Sequence, residues 1–368
     1  MKYSLLVALL LATPAFAQQI VSPEVLPDGR VTFRLNAPGA KDVRVRCEGV
    51  KASAMQKDSQ GVWSLTTDPL EPDLYTYSFN VDGLRVLDLV NPLLKYNLLN
   101  NDSQLHVPGP ASLAWEINDV PHGQVHRHFY KSAAAGDERD FIVYTPPGYD
   151  PAARKRYPVL YLLHGYSDDA TAWPTAGRAN VILDNLIARG QAKPMIVVMP
   201  LGYGTMEVVK GGWSRVRDPG LWQRNSDTFR ETLLNEVMPQ AEKAYKISPE
   251  RNSRAIAGLS MGGAQSLTVG LNHPDRFAWI GAFSSGGLNT NYSEQFPKLE
   301  AKTSQQLRLL WIACGKEDRL IESNQKFVEW LDSKGVKSIW TETSGEHSFR
   351  VWRRYLATFT PLLFQEKK

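Results

Sequence analysis

The apolar residues of this chain change their spacing once, near residue 90, and no other feature limits the fold as much. From about 20 to 90 they recur at every second position: Val31, Phe33, Leu35; then Val43, Val45, Cys47; then Trp63, Leu65; then Tyr75, Tyr77, Phe79, Val81. Such alternation sets one face of each strand on a core and the other in water. Turn residues separate the runs at Pro27-Asp28-Gly29 and Ala37-Pro38-Gly39-Ala40, and Asp82-Gly83 signals a hairpin. Helical spacing is absent here, so residues 18–90 are expected to form a small immunoglobulin-like β-sandwich.

Residues 91–122, rich in Pro and Asn, have neither period and read as a linker. Beyond it, in residues 123–368, short continuous apolar runs at 157–163, 195–199, 254–257, 279–283, 309–313 and 338–340 alternate with amphipathic stretches. The amphipathic stretches predict helices at 177–189, 226–245, 262–272, 322–334 and 348–360. Strands that are apolar on both faces and separated by helices imply a mostly parallel sheet covered on both sides. Segments 125–130 and 141–145 look antiparallel and add edge strands. The second domain is therefore expected to be α/β.

Composition narrows the partners. Forty-two Lys plus Arg stand against 38 Asp plus Glu, a net charge of +4 with both signs mixed along the chain. No basic stripe exists for a phosphate backbone, so no nucleic-acid partner is expected. Residues 1–17 read as an export signal, with Lys2, an apolar run over 5–12 and the cleavage site Ala15-Phe16-Ala17. Thr13-Pro14 breaks that run after eight residues, well short of the about 20 that a membrane span needs. The mature chain is expected to begin at Gln18, to be secreted or periplasmic, and to have no membrane contact once the signal is removed. Cys47 and Cys314 each lie within an apolar run and read as buried, unpaired thiols.

Gly258-Leu259-Ser260-Met261-Gly262 fits G-x-S-x-G, directly after the run at 254–257 and at the start of a helical stretch. In that setting the pattern means a nucleophile elbow, a tight strand-to-helix turn that projects the serine hydroxyl above the sheet. Bulk at 258 or 262 would keep strand and helix apart. A serine needs a base and the base an orienting acid, which in α/β-hydrolases follow in the order Ser, acid, His. His347 comes after the run at 338–340, on the rim that carries Ser260. His273, the other downstream histidine, sits at a helix end before Pro274, where a capping or surface role fits. The acid is Glu317 or Asp318, both after the run at 309–313, and spacing alone leaves that choice open. Leu162-Leu163-His164-Gly165-Tyr166 fits a loop whose glycine lets amides turn inward. The backbone N–H groups of Tyr166 and Met261 are therefore candidates for the oxyanion hole. His164 precedes Ser260 in the chain and reads as a packed loop residue.

Together these residues resemble the esterase D-like branch of the α/β-hydrolases, especially carbohydrate esterase family one, the feruloyl and acetylxylan esterases. Pro121-His122-Gly123, Val143-Tyr144-Thr145-Pro146-Pro147-Gly148-Tyr149, Met199-Pro200-Leu201-Gly202, Gly315-Lys316-Glu317-Asp318 and His347-Ser348-Phe349-Arg350-Val351-Trp352-Arg353 look like that family's landmarks. The resemblance implies an α/β-hydrolase fold with Ser260 as nucleophile, Asp318 as acid and His347 as base, and no cofactor. One departure is Tyr166-Ser167-Asp168-Asp169, where the family's loop is often richer in glycine. In the front domain, Val62-Trp63-Ser64 and Leu74-Tyr75-Thr76-Tyr77-Ser78-Phe79 resemble the early-set module related to glycogen-binding domains. Trp63, Tyr75 and Tyr77 lie at core spacing, so that module is expected to buttress the second domain rather than bind glycan.

Sugar and phenolic rings stack on exposed aromatic side chains. That makes Trp213, Trp173, Tyr203 and Trp352 candidates for substrate binding, with Trp213 foremost because it lies in the turn-rich Lys210-Gly211-Gly212-Trp213-Ser214. His122, His126 and His128 cluster in sequence, but no Cys and no downstream H-E-x-x-H accompanies them, so no metal site is expected. The chain reads as a secreted serine esterase acting on acetyl or feruloyl esters of plant polysaccharide or oligosaccharide. Two alternatives keep the same residues: an ester hydrolase of siderophore (enterochelin-like) type, and a sugar acyltransferase. A non-catalytic carbohydrate-binding protein, or a paired-carboxylate glycosidase, would leave the Ser260 arrangement without a use.

Overall fold

The computed structural model describes residues 20–366, so the export signal expected at 1–17 lies outside the described residues. Two sheets face each other in the front part of the chain. One has the order Glu24–Val25, Val31–Asn36, Val62–Thr66, Gln56–Lys57. The other has the order Ser53–Ala54, Val43–Cys47, Asp73–Val81, Asp102–Val107, Leu94–Lys95, with Leu84–Val86 beside Asp73–Val81. The alternating apolar residues turn inward as a set: Val31, Phe33, Val43, Val45, Trp63, Tyr75, Tyr77 and Phe79 share one buried core. Asp82 and Gly83 both have positive φ, 50° and 91°, the handedness that a two-residue hairpin turn demands.

The linker expected over 91–122 needs correcting. Asp102–Val107 pairs antiparallel with Asp73–Val81, and Leu94–Lys95 pairs with it in turn, so the sandwich extends to Val107. The inward positions of this strand are Ser103, Leu105 and Val107. Ser103 hides the apolar alternation because its hydroxyl is buried for a polar reason, accepting the Asp88 amide at 2.9 Å.

Eight further strands form one sheet: β1 (Gln124–Lys131), β2 (Glu138–Thr145), β3 (Val159–Leu163), β4 (Ile196–Pro200), β5 (Arg254–Leu259), β6 (Trp279–Phe283), β7 (Leu309–Gly315) and β8 (Ile339–Thr343). Their order is β1-β2-β4-β3-β5-β6-β7-β8. The pairs β1·β2 and β2·β4 are antiparallel and the rest parallel. Strands β3 to β6 are buried along their whole length, as a sheet covered on both faces requires. The helices that matter below are α1 (Ala179–Ala188), α2 (Pro219–Glu231), α3 (Met261–Asn272), α4 (Ile321–Ser333) and α5 (Phe349–Phe359). Helix α2 begins earlier than the expected 226 because Asp218 Oδ1 accepts the Leu221 amide at 3.0 Å and Pro219 follows the cap. It runs on through a π-helical turn, Thr232–Val237, into Met238–Ala244.

Both cysteines are buried and free. Burial pushes each thiol up to about 12, so neither supplies a thiolate near neutral pH.

The sandwich is fastened to α5. Arg353 donates to Asp73 Oδ1 at 2.7 and 3.1 Å and to the Leu74 carbonyl at 2.6 Å. Arg354 Nη2 lies 2.9 Å from Asp73 Oδ2. Asp73 and Arg353 are both buried. Removing the carboxylate leaves a guanidinium in the interior without its counter-charge, so Asp73→Ala is expected to cost about 3–5 kcal/mol. The midpoint of urea unfolding measures that loss.

Candidate active site

β5 ends at Leu259 and α3 starts at Met261, so Ser260 is the whole turn between them. Its φ is 52°, a left-handed value that a residue with a side chain keeps only under constraint. The constraint is visible: the Ser260 amide donates to the Phe283 carbonyl at 2.8 Å, and the Ser260 carbonyl accepts the Gly286 amide at 3.0 Å. A Cβ on Gly262 would lie 2.5 Å from the His164 carbonyl oxygen, and one on Gly258 would lie 2.6 Å from the Gly262 carbonyl. Gly262→Ala is therefore expected to destabilise the protein by about 1–3 kcal/mol. An unfolding midpoint equal to that of wild type would show slack in the turn.

Ser260 Oγ–H donates to His347 Nε2 at 3.0 Å, and His347 Nδ1–H donates to Asp318 Oδ2 at 2.7 Å. Three separate loops, after β5, β7 and β8, thus converge on one rim of the sheet. Asp318 is buried and also accepts the Leu320 amide on Oδ1 at 2.9 Å. Burial opposes its charge, but the hydrogen bond and charge of His347 and the Leu320 amide outweigh it and hold the carboxyl below its ordinary 3.8. Glu317, the other acid that spacing left open, turns to the surface and accepts the Gly345 amide at 2.5 Å. Trp352 packs edge-on against the His347 ring, with centroids 4.8 Å apart, and its indole N–H donates to Ser284 Oγ at 3.2 Å.

The loop after β3 lies against the elbow, since a Cβ on Gly165 would be 3.3 Å from Ser260 Cβ. Among the described residues, the amides of Tyr166 and Met261 donate to no protein acceptor. His164 is buried beneath this loop. The Gly202 amide donates to its Nε2 at 2.8 Å, so the ring proton sits on Nδ1, which donates to the Gly165 carbonyl at 2.8 Å. Burial lowers the pKa of His164, and the neutral ring serves as scaffold. Residues 95–98, within the stretch read as a linker, brace the same loop. Lys95 Nζ donates to Asp168 Oδ1 at 2.8 Å, Asn97 Nδ2 donates to Ser167 Oγ at 2.9 Å, and the Leu98 amide donates to the Ser167 carbonyl at 2.7 Å. Ser167 is held at a φ of 71°.

Ser260 and His347 open into a cavity of about 280 Å³ whose far wall is the sandwich, through Glu48, Thr76, Lys95, Asn97 and Asp102. Tyr166, Trp213, Arg319, Glu346 and Trp352 line the near side. Trp213 is 53% exposed and stands 4.8 Å, ring to ring, from Tyr166. Of the four aromatic candidates, Trp213 and Trp352 reach this cavity, and Trp173 and Tyr203 do not. Both of the latter are buried: Trp173 donates its indole N–H to the Leu163 carbonyl at 2.9 Å, and Tyr203 its hydroxyl to the Asp168 carbonyl at 3.1 Å. They hold the loop from below, a role that residue type cannot distinguish from an exposed platform. Of the sandwich residues of the cavity, Thr76 alone lies in a stretch with a family resemblance, and nothing in the sequence marks any of them as facing Ser260. Arg319 and Glu346 adjoin Asp318 and His347 in sequence, which is the one signal that could have found them.

Of the front cluster, His122 stands apart, its Nδ1 meeting Asp184 Oδ2 at 3.0 Å, while His126 and His128 both lie against the Tyr245 ring and His128 Nε2 meets the Tyr245 hydroxyl at 2.6 Å. Among the described residues, no three His, Cys, Asp or Glu gather to hold a metal ion.

Residues 132–363 match the Esterase family. This chain belongs to that family. The chain is 31% identical over 354 residues to an endo-1,4-beta-xylanase/feruloyl esterase of Xylanibacter ruminicola, a match that covers 93% of this chain and 46% of the relative. It thus spans about half that relative's length. Among solved structures, the chain is similar to a ferulic acid esterase from the anaerobic fungus Anaeromyces mucronatus, with 25% identity, a TM-score of 0.60, and coverage of 70% of this chain and 96% of the other. In fold alone it is similar to the enterobactin esterase of Shigella flexneri, with 20% identity, a TM-score of 0.67, and coverage of 90% and 92%. Among the described residues, no helix is long and apolar enough to cross a membrane.

Proposed function

We propose that the protein is an exported serine esterase that removes acetyl or feruloyl groups from plant polysaccharide or oligosaccharide. The observation that carries this reading is the unbroken hydrogen-bond series Ser260–His347–Asp318 at the floor of an open cavity. Ser260 Oγ attacks the ester carbonyl while His347 Nε2 takes its proton. The amides of Tyr166 and Met261 stabilise the oxyanion. His347 then gives the proton to the leaving alkoxide, activates a water that attacks the acyl-enzyme, and returns the proton to Ser260 as the carboxylic acid departs. Asp318 keeps the imidazole in the tautomer whose Nε2 is free to accept.

The sugar part of the reading draws support from two sources. The relative in Xylanibacter ruminicola joins a feruloyl esterase to an endo-1,4-beta-xylanase in its name. The cavity is polar on its sandwich side and carries Trp213 as an exposed aromatic platform. Fluorophosphonate labelling followed by an ester panel tests the proposal. Labelling at Ser260, with turnover of acetylated xylan or a feruloylated oligosaccharide, is the expected result. Turnover confined to a catechol siderophore lactone, transfer to a sugar in place of water, or glycan binding with no turnover would each move the protein to the corresponding alternative.

A further inference from the structure

Tyr166 reaches two parts of the site at once. Its amide is a candidate oxyanion donor, while its side chain extends into residues 206–217, the segment that carries Trp213. The hydroxyl proton is shared between the Val208 carbonyl at 2.7 Å and the Gly212 carbonyl at 2.9 Å. Burial raises the pKa of this phenol above its ordinary value, so the donor keeps its proton near neutral pH. The ring packs against Trp213, with centroids 4.8 Å apart, and against Trp222 at 6.0 Å.

The Trp213 segment depends on that hydroxyl. It consists of one helical turn, Glu207–Lys210, and a 3₁₀ stretch, Gly212–Arg217. Its entry is fixed by Asn225 Oδ1, which accepts the Gly204 and Thr205 amides at 2.9 and 3.2 Å, and by Val208 and Val209, which are buried with Tyr203, Leu221 and Met261. Packing stops there: from Lys210 to Arg215 no residue is buried. Among the described residues, no other hydrogen bond joins 206–217 to the chain outside 200–224. The Tyr166 hydroxyl therefore supplies the polar tie between Trp213 and the loop after β3. Glycine at 166 would present the same amide and leave Trp213 without that tie.

Trp213 and the Tyr166 amide are thus held at a set separation in the cavity that Ser260 lines. An ester reacts only if its carbonyl oxygen meets the amides while the rest of the substrate is seated, so that separation matters to the rate. We infer that Tyr166 is a positioning residue as well as an oxyanion donor: its hydroxyl sets the distance from the Trp213 platform to the oxyanion amides, and so selects substrates whose ring and ester carbonyl match that distance. This inference rests on the serine esterase reading and adds a determinant of its specificity.

Tyr166→Phe keeps the ring and the amide and removes the tie. Hydrogen exchange of the amides over 206–217 is expected to quicken by about fivefold, the change in a local opening equilibrium that one net hydrogen bond gives. Kinetics on the best substrate of the ester panel then ask whether hydroxyl and indole act as one. Trp213→Ala is expected to raise KM by about three- to tenfold in the wild type, as the loss of an aromatic stack does. On the Tyr166→Phe background, where the platform has already left its position, the same change is expected to raise KM by less than about twofold. Unchanged exchange over 206–217, a KM unmoved by Trp213→Ala in the wild type, or an equal rise in both backgrounds overturns the inference and leaves a working esterase. Absence of turnover across the panel, with Ser260 unlabelled by fluorophosphonate, overturns the serine esterase reading and the inference together.

Discussion

Ser260→Ala is expected to lower kcat for ester hydrolysis by a factor on the order of 10³–10⁶. The range reflects what the remaining groups still do: without the nucleophile, the backbone amides and the cavity continue to bind and polarise an ester. The fold should be unaffected, because the left-handed backbone at 260 is imposed by Phe283 and Gly286 through main-chain hydrogen bonds that alanine keeps. Steady-state kinetics on an aryl ester, with an unfolding curve on the same sample, measure both halves of the statement. A variant that retained a rate within tenfold of wild type would take Ser260 out of the chemistry.

Asp318→Asn is expected to cost about 10⁴ in kcat, with a much smaller change in KM. The carboxylate accepts the His347 Nδ1 proton at 2.7 Å. An amide placed there can present its N–H₂ to the ring, which favours the tautomer with the proton on Nε2. That tautomer cannot accept the Ser260 proton. The same residue links the site to acid stability. Its folded carboxyl titrates below the ordinary 3.8, so ionised Asp318 stabilises the fold fully above that value. The contribution is lost as pH falls through the folded pKa, in the window below roughly pH 4. The wild-type urea midpoint should therefore fall in that window, and the Asn variant should lack this component of the fall.

The sequence made the fold and the core of the site legible where a single local rule decides the matter. Ser260 sits between two glycines at which any larger residue would press on neighbouring backbone, and the strand-turn-helix around it follows from that. His347 and the pair Glu317-Asp318 stand after apolar runs, and parallel strands carry such residues to one rim whatever the details of packing; the choice of Asp318 within the pair rests on the family resemblance and not on spacing. Legibility failed where a residue's role depends on what lies across from it. Ser103 breaks an alternation because it caps Asp88 from inside, and so the strand at 102–107 was hidden. Trp173 and Tyr203 resemble surface aromatics in a turn-rich sequence, yet the loop they support covers them. Nothing local tells Glu48 or Asp102 that the second domain faces them across a cavity.

The bonds from Lys95, Asn97 and Leu98 to Ser167 and Asp168 bear on how such a protein can change over time. A glycine-poor loop that depends on an outside brace cannot drift alone, and neither can the brace. Exchange of the front module for a foreign one would remove supports from the loop that carries the Tyr166 amide. A fragment beginning at Gly123 would lack all three of these bonds, so the loop from Gly165 to Asp168 is expected to be less ordered in it than in the whole chain.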